Sequence, residues 1–505
     1  MTTLYDLLER HRRAGADRPL LVTPDGAYSS DDVERESARV AAWLRDAGLA
    51  PGDRVVVDLK NGFDAVAALF GASRAGAVVV GATPQWTVPQ IAHVVADSGA
   101  RFLVTNDLRA KQLGAKRPPN VLVRGATTDG VVPWASLTAS WDGQAPTDPS
   151  SPAILIYTSG STGSPKGVVH PHANLVDFAR IVSGYLENTA DDRLMWLLGW
   201  SFGYGLSQLL TMCATGGRLI VPASMLAADV VKAHEEHAAT AIAQVPHGWD
   251  QLVGFLEKTD RRLAGLRYVT NAGDGPSLAL LDRLERALPG AKIVLMYGQT
   301  ECLRTTYLPA DRFEDKRGAM GFPVPGVDVF VVDERGELCA DDEPGELLHR
   351  GALLSAGYWN APEATAAKIR PEPCLRDRIG DEPVLHTGDV VRRDADGCLW
   401  YVGRSERMIK SSGFRFGPSE IEAILLAAPE VREALVFGVD DPTLGQAVEA
   451  AVVTSEGSAD AGALLLEARK QLPRYMVPRR VHFVAEIPRN ANGKVRLDAL
   501  RALAR

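Results

Sequence analysis

Several patterns that would place a protein in a special class are missing from this sequence. Its five cysteines are scattered without a Cys-x-x-Cys pair, which argues against a structural zinc site or a disulfide framework. No run of about 18 apolar residues occurs, and the start, MTTLYDLLERHRRAG, lacks the apolar segment of a secretory signal. These absences predict a cytosolic protein with reduced, packed thiols and no association with a membrane.

Charge of one sign is not concentrated anywhere in the chain either. The formal net charge is −8, and no run of lysine or arginine could follow a phosphate backbone, so nucleic acid is a poor candidate partner. Hydrophobic residues make up 46% and charged residues 23%, as in an ordinary globular protein, which excludes global disorder. The 505 residues are enough for about three domains.

Apolar segments alternate with amphipathic ones along the first 300 residues. Between 153 and 297, strand-like runs such as AILIY, LRYVTN and KIVLMY are separated by helical stretches such as SLALLDRLERAL. This alternation predicts a mostly parallel sheet covered by helices, and residues 1–135 predict a similar α/β layer. Because ligands bind beyond the carboxyl ends of strands in such sheets, the segments that follow these three runs are candidate site segments.

The pattern changes in the later part of the chain. Short strands with turn signals between 318 and 403 predict an antiparallel or barrel-like section. The residues beyond it predict a small α+β module. We therefore expect an α/β protein with a large N-terminal domain of stacked α/β sheets plus a β-barrel-like section, residues 1–405, and a small mobile α+β C-terminal domain, residues 406–505.

The segment YTSGSTGSPKG, residues 157–167, follows the strand AILIY and precedes a helix. Its glycines let backbone amides turn inward, its hydroxyls add donors and its lysine adds a positive charge, which predicts a phosphate-binding loop. A flexible linker is the alternative, which the strand context disfavours. A Walker-type loop is excluded because the lysine does not directly follow the second glycine. The predicted phosphate-binding residues are Thr158, Ser159, Gly160, Ser161, Thr162, Gly163 and Lys166.

Together with four other segments, this loop resembles the signature of the acyl-adenylate-forming (AMP-binding) superfamily. That superfamily includes acyl-CoA synthetases, aryl-CoA ligases, peptide-synthetase adenylation domains and firefly luciferase. The other four segments appear in the family's order, and they are Tyr297-Gly-Gln-Thr-Glu301, Leu385-His-Thr-Gly-Asp389, Gly403-Arg404 and Asn492-Gly-Lys494. Residues 302–309 and 349–353 look like those of bacterial exosortase-associated acyl-CoA ligases, and the overall sequence is also similar to benzoate-CoA ligases.

The resemblance implies adenylation of a carboxylic acid with ATP, and it assigns roles to the segment 297–301. Glu301 is implied to bind Mg²⁺, which favours carboxylate and phosphate oxygens. Without the preceding Tyr-Gly-Gln-Thr, a solvated loop glutamate would be the better interpretation. Thr300 is implied to donate to the α-phosphate. Tyr297, followed by Gly298, is implied to stack on adenine, and packing in the core is its alternative.

The other motif residues complete the nucleotide site that the resemblance implies. Asp389 offers two acceptors to the ribose hydroxyls, and Arg404 offers donors to the same sugar. Each of them alone would be read as a salt-bridge residue. Lys494 is implied to bridge the carboxylate and the α-phosphate during adenylation, a task that suits a compact cation.

Residues 403–415 match the segment about which the family's small domain rotates, exchanging the adenylation lysine for a thiolation face. Glu406 occupies the hinge position, where the family usually has aspartate or lysine, and a hinge needs only a tolerant backbone. Lys410, a further catalytic candidate, matches the thiolation face together with Gly413 and Arg415. In the implied second step a phosphopantetheine thiolate attacks the acyl-adenylate and AMP leaves.

Residues 198–206 correspond, by the resemblance, to the acyl-pocket helix. Phe202 matches an aromatic gate, and Gly203 stands where amino-acid-activating relatives commonly have an aspartate. Because a buried ammonium without a counter-charge is costly, we expect an acid without an α-amino group. The predicted pocket is largely apolar, and its residues are Trp200, Phe202, Gly203, Tyr204, His247, Gly248, Asn271, Ala272, Gly273 and Asp274. Core packing remains an alternative for Trp200 and Tyr204, and Asp274 could read a substrate hydroxyl.

These expectations describe an acid–thiol ligase with ATP, Mg²⁺ and coenzyme A, acting on an aryl, fatty or bulky polycyclic acid and releasing AMP and pyrophosphate. The alternatives are loading of an acyl carrier protein and delivery of the adenylate to a partner enzyme. A non-catalytic binding protein of this fold is disfavoured because Lys166, Glu301 and Lys494 are all present. A monomer and a homodimer are both compatible with the sequence.

Overall fold

The computed structural model of the chain describes residues 3–15, 18–125, 130–145, 147–158, 165–404, 407–411, 414–441, 444–455, 459–489 and 495–503. The predicted fold class, α/β with a large N-terminal domain and a small C-terminal domain, is confirmed. Two compact units are present. The first comprises Met1–Asp328, His349–Arg370 and Pro383–Leu385, and the second comprises Val329–Leu348, Pro371–Glu382 and His386–Arg505. The domain boundary between residues 405 and 406 stays a prediction.

The first part of the chain alternates helices and strands, as predicted. Residue pairs in the sequence set the starts of two helices through reciprocal capping, Ser29 with Asp32 and Thr87 with Gln90. In chain order the elements are α1 Tyr5–Ala14, β1 Pro19–Thr23, β2 Gly26–Ser29, α2 Ser30–Asp46, β3 Arg54–Asp58, α3 Phe63–Arg74, β4 Val78–Ala82, α4 Val88–Ser98, β5 Phe102–Asn106, α5 Asp107–Leu113, β6 Asn120–Arg124 and β7 Val132–Pro133.

The next part continues the alternation, and the predicted strands AILIY, LRYVTN and KIVLMY are all present. The elements are β8 Pro152–Thr158, β9 Lys166–Pro171, α6 His172–Tyr185, β10 Arg193–Met195, α7 Gly203–Thr215, β11 Arg218–Ile220, α8 Ala227–His237, β12 Ala241–Gln244, α9 Pro246–Glu257, β13 Tyr268–Asn271, α10 Leu278–Ala287, β14 Lys292–Tyr297, β15 Thr306–Leu308 and β16 Phe322–Pro323. The strands end where the candidate site segments begin.

These strands form two sheets, both in the first unit. One has seven strands in the order β7-β6-β5-β3-β4-β8-β9, and the other has nine in the order β16-β15-β14-β13-β12-β10-β11-β1-β2. The expected division into a layer of residues 1–135 and a layer of residues 153–297 is therefore wrong at two places. β8 pairs with β4, and β1 pairs with β11. Local periodicity marks a segment as a strand, but long-range packing decides its partner.

The region around the predicted phosphate loop also differs from the expected strand, loop and helix. β9 intervenes and pairs antiparallel with β8 as a β-hairpin, so the predicted loop lies in the chain between two paired strands. Helix α6 begins only at His172. The helix N-terminus is therefore separated from the loop by a strand, because residues 166–171 continue the buried apolar pattern of the sheet.

Residues 327–404 contain short strands with antiparallel pairs, as the turn signals predicted. β19 pairs antiparallel with β20, and β20 pairs antiparallel with β21. The elements of this region are β17 Val327–Val332, β18 Gly345–Gly351, α11 Pro362–Lys368, β19 Ile369–Arg370, α12 Arg376–Ile379, β20 Val384–Arg393 and β21 Leu399–Arg404.

The C-terminal residues form the predicted small α+β module. Its sheet has the order β23-β22-β25-β24, and β26 pairs with β25. The core contains Ile421, Val436 and Ala450, all nearly or fully buried. The elements are β22 Ile409–Ser411, β23 Phe414–Phe416, α13 Ser419–Leu426, β24 Val431–Asp441, β25 Gly445–Thr454, α14 Ala461–Gln471, β26 Arg480–Phe483 and α15 Leu497–Leu503.

The thiols are packed, as predicted. All five cysteines are free, and four of them are buried. Within the described ranges, no helix combines the length and the apolar character that a bilayer crossing requires.

Candidate active site

The hairpin of β8 and β9 carries the predicted phosphate loop. Thr158 and Lys166 are cross-strand partners at its end, and Tyr157 pairs with Gly167. The Tyr157 hydroxyl donates to Asp97 Oδ2 at 2.6 Å, which fixes the base of the hairpin. A Cβ on Gly167 would lie 3.0 Å from the Tyr157 ring, so this glycine is needed for a close approach. Ser159, Gly160, Ser161, Thr162 and Gly163 lie outside the described residues.

A second segment of the first unit, residues 355–359, lies along β9. The backbone N–H of Val169 donates to the Gly357 carbonyl at 2.9 Å, and that of Trp359 donates to the Gly167 carbonyl at 2.7 Å. Val168 and Tyr358 form an isolated antiparallel bridge. These contacts hold Tyr358 beside the phosphate hairpin, although the two segments are far apart in sequence.

Lys166, Tyr358 and Glu301 form one cluster. The Tyr358 hydroxyl donates to Glu301 Oε1 at 2.6 Å, and Lys166 Nζ lies 5.8 Å from the centroid of the Tyr358 ring. The Ser355 N–H donates to the Glu301 carbonyl at 2.8 Å. Burial and the Glu301 charge raise the pKa of Tyr358 well above its usual range, so its hydroxyl remains a donor. One tyrosine thus has a cation near its ring and a carboxylate at its hydroxyl.

Thr300 is anchored through its backbone by a buried histidine. His170 Nε2 donates to the Thr300 carbonyl at 2.8 Å, and Asn174 Nδ2 donates to His170 Nδ1 at 3.2 Å. Asn174 also donates to the Leu354 carbonyl at 3.0 Å. His170 is fully buried, and burial lowers its pKa to about 4, so the imidazole is neutral at physiological pH. This network fixes the segment that bears Thr300 and Glu301.

The segment after β14 folds back on itself. The Thr305 N–H donates to the Tyr297 carbonyl at 2.9 Å, and Gln299 Nε2 donates to the Tyr297 hydroxyl at 3.3 Å. A Cβ on Gly298 would lie 2.8 Å from Arg304 Cα, closer than real contacts allow. Only glycine fits at residue 298, so this turn requires the glycine of the motif.

The start of α7 contacts this turn. Gly203 is the first residue of the helix, and a Cβ there would lie 3.3 Å from Leu303 Cδ2. The hydroxyls of Tyr204 and Thr270 are 2.6 Å apart. Phe202, directly before the helix, is 42% exposed. The predicted acyl segment and the predicted nucleotide segment are therefore neighbours in the first unit.

Arg304 is a residue of this region that sequence reasoning missed. Its side chain is almost fully buried, and Cζ lies 5.5 Å from the centroid of the Tyr204 ring. Guanidinium Nε and Nη2 are buried and have no hydrogen-bond partner in the described part of the chain. An arginine in a short polar stretch ordinarily predicts a surface position, so its burial gave no signal in the sequence.

Trp200 and Asn271, two further acyl-pocket candidates, are buried. Trp200 Nε1 donates to the Leu59 carbonyl at 2.9 Å, which links the loops that follow β10 and β3. Asn271 Nδ2 donates to the Asp274 carbonyl at 2.8 Å, and Asn271 Oδ1 is buried without a partner among the described residues. Asn271 is the last residue of β13, at the carboxyl end of the strand.

The remaining acyl-pocket candidates are spread over the segments that follow β12 and β13. Ala272 is buried, whereas Gly273, with φ of 91°, and Asp274 are exposed. His247 is also exposed, and its Nε2 lies 2.9 Å from Gln251 Nε2. A Cβ on Gly248 would clash with the Gln244 side chain. These segments follow neighbouring strands of the nine-stranded sheet, as predicted for a site at the strand ends.

The second unit brings Asp389 and Arg404 together. They are cross-strand partners on β20 and β21, and Arg404 Nε lies 2.6 Å from Asp389 Oδ1. Asp389 is buried, and its N–H donates to Thr387 Oγ1 at 3.1 Å. The two candidate ribose residues thus form a pair on adjacent strands.

The thiolation candidates also lie in the second unit. Lys410 and Arg415 are backbone partners in the antiparallel pair of β22 and β23. Glu406, Gly413 and Lys494 lie outside the described residues, as do the side chains of Lys410 and Arg415.

Comparison with protein families identifies the two parts of the chain. Residues 8–359 match the AMP-binding enzyme family, and residues 420–494 match the AMP-binding enzyme C-terminal domain. The chain is 30% identical to novobiocin biosynthesis protein H of Streptomyces niveus, over 97% of this chain and 81% of that protein. It is also 30% identical to 4-coumarate–CoA ligase 3 of rice, over 99% and 92%.

Phosphinothricin tripeptide synthetase PhsC of Streptomyces viridochromogenes is 31% identical over 99% of this chain, which spans 45% of that protein. Two solved structures share the fold. The amide bond synthetase McbA of Marinactinospora thermotolerans has a TM-score of 0.89 and 26% identity, with 99% of both chains covered. The benzoate CoA ligase of Burkholderia xenovorans LB400 has a TM-score of 0.87 and 25% identity, over 99% of this chain and 100% of that one. The chain therefore belongs to the AMP-binding enzyme family and is an enzyme of its AMP-forming class.

Proposed function

We propose that this enzyme is an ATP-dependent acid–thiol ligase, which adenylates a carboxylic acid without an α-amino group and transfers the acyl group to coenzyme A. The observation that carries the proposal is the cluster of Lys166, Tyr358 and Glu301 beside the phosphate hairpin. A positive charge and an oriented carboxylate at this position fit the triphosphate of ATP and its metal ion.

The described residues fit Mg²⁺, because Tyr358 holds one oxygen of the Glu301 carboxylate, and an oriented carboxylate is a ligand that this hard cation prefers. Bound there, Mg²⁺ would neutralise phosphate charge. Lys166 would approach the phosphates from the hairpin, and Thr300 would donate to the α-phosphate from a segment that His170 fixes. Asp389 and Arg404 are proposed to bind the ribose.

The first chemical step would join a carboxylate oxygen of the acid to the α-phosphorus, and pyrophosphate would leave. Lys494 is proposed to bridge the two anions as they approach, which lowers their repulsion. In the second step a thiolate would attack the acyl carbon and AMP would leave. Rotation about Glu406 is proposed to replace Lys494 by the face of Lys410, Gly413 and Arg415 between these steps.

The charges around α7 support the exclusion of α-amino acids. Gly203 provides no carboxylate, and Arg304 places a buried cation beside Tyr204, the next residue of the helix. Neither residue could neutralise an α-ammonium bound at the start of this helix, and burying an ammonium without a counter-charge is costly. The buried indole of Trp200 and the methyl group of Ala272 support an acid with an apolar body.

Coenzyme A is the proposed acceptor because similar proteins include a 4-coumarate–CoA ligase and a benzoate CoA ligase. Two alternative acceptors are an amine and a carrier protein, because the similar proteins include an amide bond synthetase and a peptide synthetase. The three acceptors differ only in the second step.

A panel of acids scored by pyrophosphate release, with and without coenzyme A, tests the proposal. We expect release with at least one acid, faster turnover with coenzyme A and an acyl-CoA product. Pairs such as 3-phenylpropanoate and phenylalanine test the amino-group exclusion, and we expect a preference of at least about tenfold for the acid without the amine. Efficient activation of the amino acid would refute that part. Release of adenylate with no effect of coenzyme A would favour the other acceptors.

A further inference from the structure

Arg304 has a charge that the described protein does not balance. Its side chain is almost fully buried, and no ion pair among the described residues involves it. A buried guanidinium without a carboxylate partner is unfavourable, because burial removes its hydration and nothing replaces it. A buried guanidinium with unsatisfied donors is therefore explained by a functional role, such as binding an anionic ligand.

The neighbours of Arg304 are neutral aromatic side chains. Tyr204 presents its ring to the guanidinium at 5.5 Å. Tyr185 is also a neighbour: burial raises its pKa to about 12, and the charge of Arg304 and a hydrogen bond with Arg304 oppose that shift. The Tyr185 hydroxyl donates to Met296 Sδ at 3.0 Å, and its ring stacks on Tyr307. A cation–π contact compensates part of a buried charge but supplies no anion.

The unmet donors of Arg304 lie on one edge of its guanidinium. The N–H bonds of Nε and Nη2 point to the same side of the planar group, and both nitrogens are buried without a partner. This pair of parallel donors binds the two oxygens of one carboxylate. The geometry of these two donors therefore matches the two oxygens of a carboxylate.

Arg304 lies beside the predicted acyl segment. Its ring partner Tyr204 belongs to the predicted acyl-pocket helix, and the Tyr204 hydroxyl is hydrogen-bonded to Thr270, next to Asn271. Its Cα lies against Gly298 of the nucleotide segment. The backbone of Arg304 thus lies against the candidate nucleotide segment, whereas its guanidinium lies beside the predicted acyl-pocket helix.

We infer that the acid which this enzyme activates carries a second carboxylate, distal to the reacting one, and that Arg304 binds it through Nε and Nη2. The inference rests on the proposed function, since it specifies the substrate class of the same site. The substrate is then a dicarboxylic acid with an apolar body, and Arg304 is a specificity-determining residue.

Matched acids test the inference in the full-length enzyme. Each pair has the same body with and without the second carboxylate, for example hexanoate with hexanedioate and 3-phenylpropanoate with its 4-carboxy derivative. The readout is kcat/KM for acid-dependent pyrophosphate release. A charge-assisted bidentate contact predicts a preference of about 10- to 100-fold for the diacid of fitting length. Better activation of the monoacid throughout the series, or of acids with only a neutral distal oxygen, would overturn the inference.

The variant Arg304→Met identifies the residue responsible. We expect it to lose the diacid preference, whereas the control Arg267→Met, which removes a cation paired with Asp192 at 2.7 Å, should retain it. In the absence of substrate, Arg304→Met should not lower the melting temperature, because it removes an unbalanced charge, while Arg267→Met should lower it. A destabilised Arg304→Met that keeps the wild-type preference would show a structural role and overturn the inference.

Different outcomes would contradict the proposed function and the role of Arg304. If no acid supports pyrophosphate release, the proposed function is wrong. If monoacids are activated better than their matched diacids, only the inference about Arg304 is wrong. The wild-type comparison of each pair decides this even where Arg304→Met does not fold.

Discussion

Replacing Tyr358 by phenylalanine should impair adenylation, because it removes the only hydrogen bond that the structure gives to Glu301 Oε1 within the described residues. The lost bond is short, 2.6 Å, and has a carboxylate as acceptor. Hydrogen bonds to charged groups contribute about 1.5–3 kcal/mol, and the phenyl ring keeps the packing. If this energy orients Glu301 for the metal and phosphates, the expected loss in kcat/KM for ATP is about 10- to 100-fold.

The assay is acid-dependent exchange of pyrophosphate into ATP, measured as a function of Mg²⁺ concentration. We expect the loss to be partly recovered at high Mg²⁺, since a misoriented carboxylate weakens metal binding first. Tyr268→Phe is the matched control, because it also removes a buried hydroxyl, which donates to Asn188 at 2.8 Å. Tyr268 is at the amino end of β13, whereas the candidate site follows the carboxyl ends of the strands. This control variant should lower stability and leave exchange unchanged. Equal exchange in Tyr358→Phe and the wild type at all Mg²⁺ concentrations would refute the orienting role.

Three further predictions address stability, the nucleotide turn and the second step. Burial lowers the pKa of His349 to about 4, so between its unfolded value near 6.5 and 4 only the unfolded chain binds the proton. The free energy of unfolding should fall with falling pH across that window, by about 1.4 kcal/mol per pH unit from this residue. Urea unfolding at several pH values should show a weaker pH dependence of this free energy in His349→Gln than in the wild type. Gly298→Ala should distort the turn at Arg304 and lose exchange, whereas Gly254→Ala, whose added Cβ would meet Arg283 at an ordinary 3.6 Å, should keep it. Gly413→Trp should preserve exchange and block thioester formation, and loss of both would contradict the two-face proposal.

The elements near the site were predictable because their signals are local. The strands AILIY and KIVLMY and the helix SLALLDRLERAL appear where periodicity places them. Their partners were not predictable, as β8 shows. It lies between β4 and β9 rather than in the sheet that contains β14. Strand pairing depends on packing between segments that are distant in sequence. The periodic pattern within one segment does not indicate which distant segment will lie beside it.

Some residues of the candidate site could be recognised from local sequence, and others could not. Lys166 stands out in the sequence because glycines and hydroxyls surround it, and Thr300 and Glu301 stand out because their motif resembles that of the adenylate-forming superfamily. Tyr358 and His170 do not, because they reach Glu301 and Thr300 across 57 and 130 residues. Arg304 stands only three residues after Glu301, but its importance lies in its burial, which depends on segments distant in sequence such as the one that contains Tyr204.

The most direct test of the central claim, that the chain adenylates a carboxylic acid, is acid-dependent ATP–pyrophosphate exchange by the wild type and by Lys494→Ala. We expect exchange in the wild type with a suitable acid, and loss of that exchange in Lys494→Ala while ATP binding remains detectable. Undiminished exchange in Lys494→Ala, or exchange in the wild type that does not depend on any acid, would contradict it.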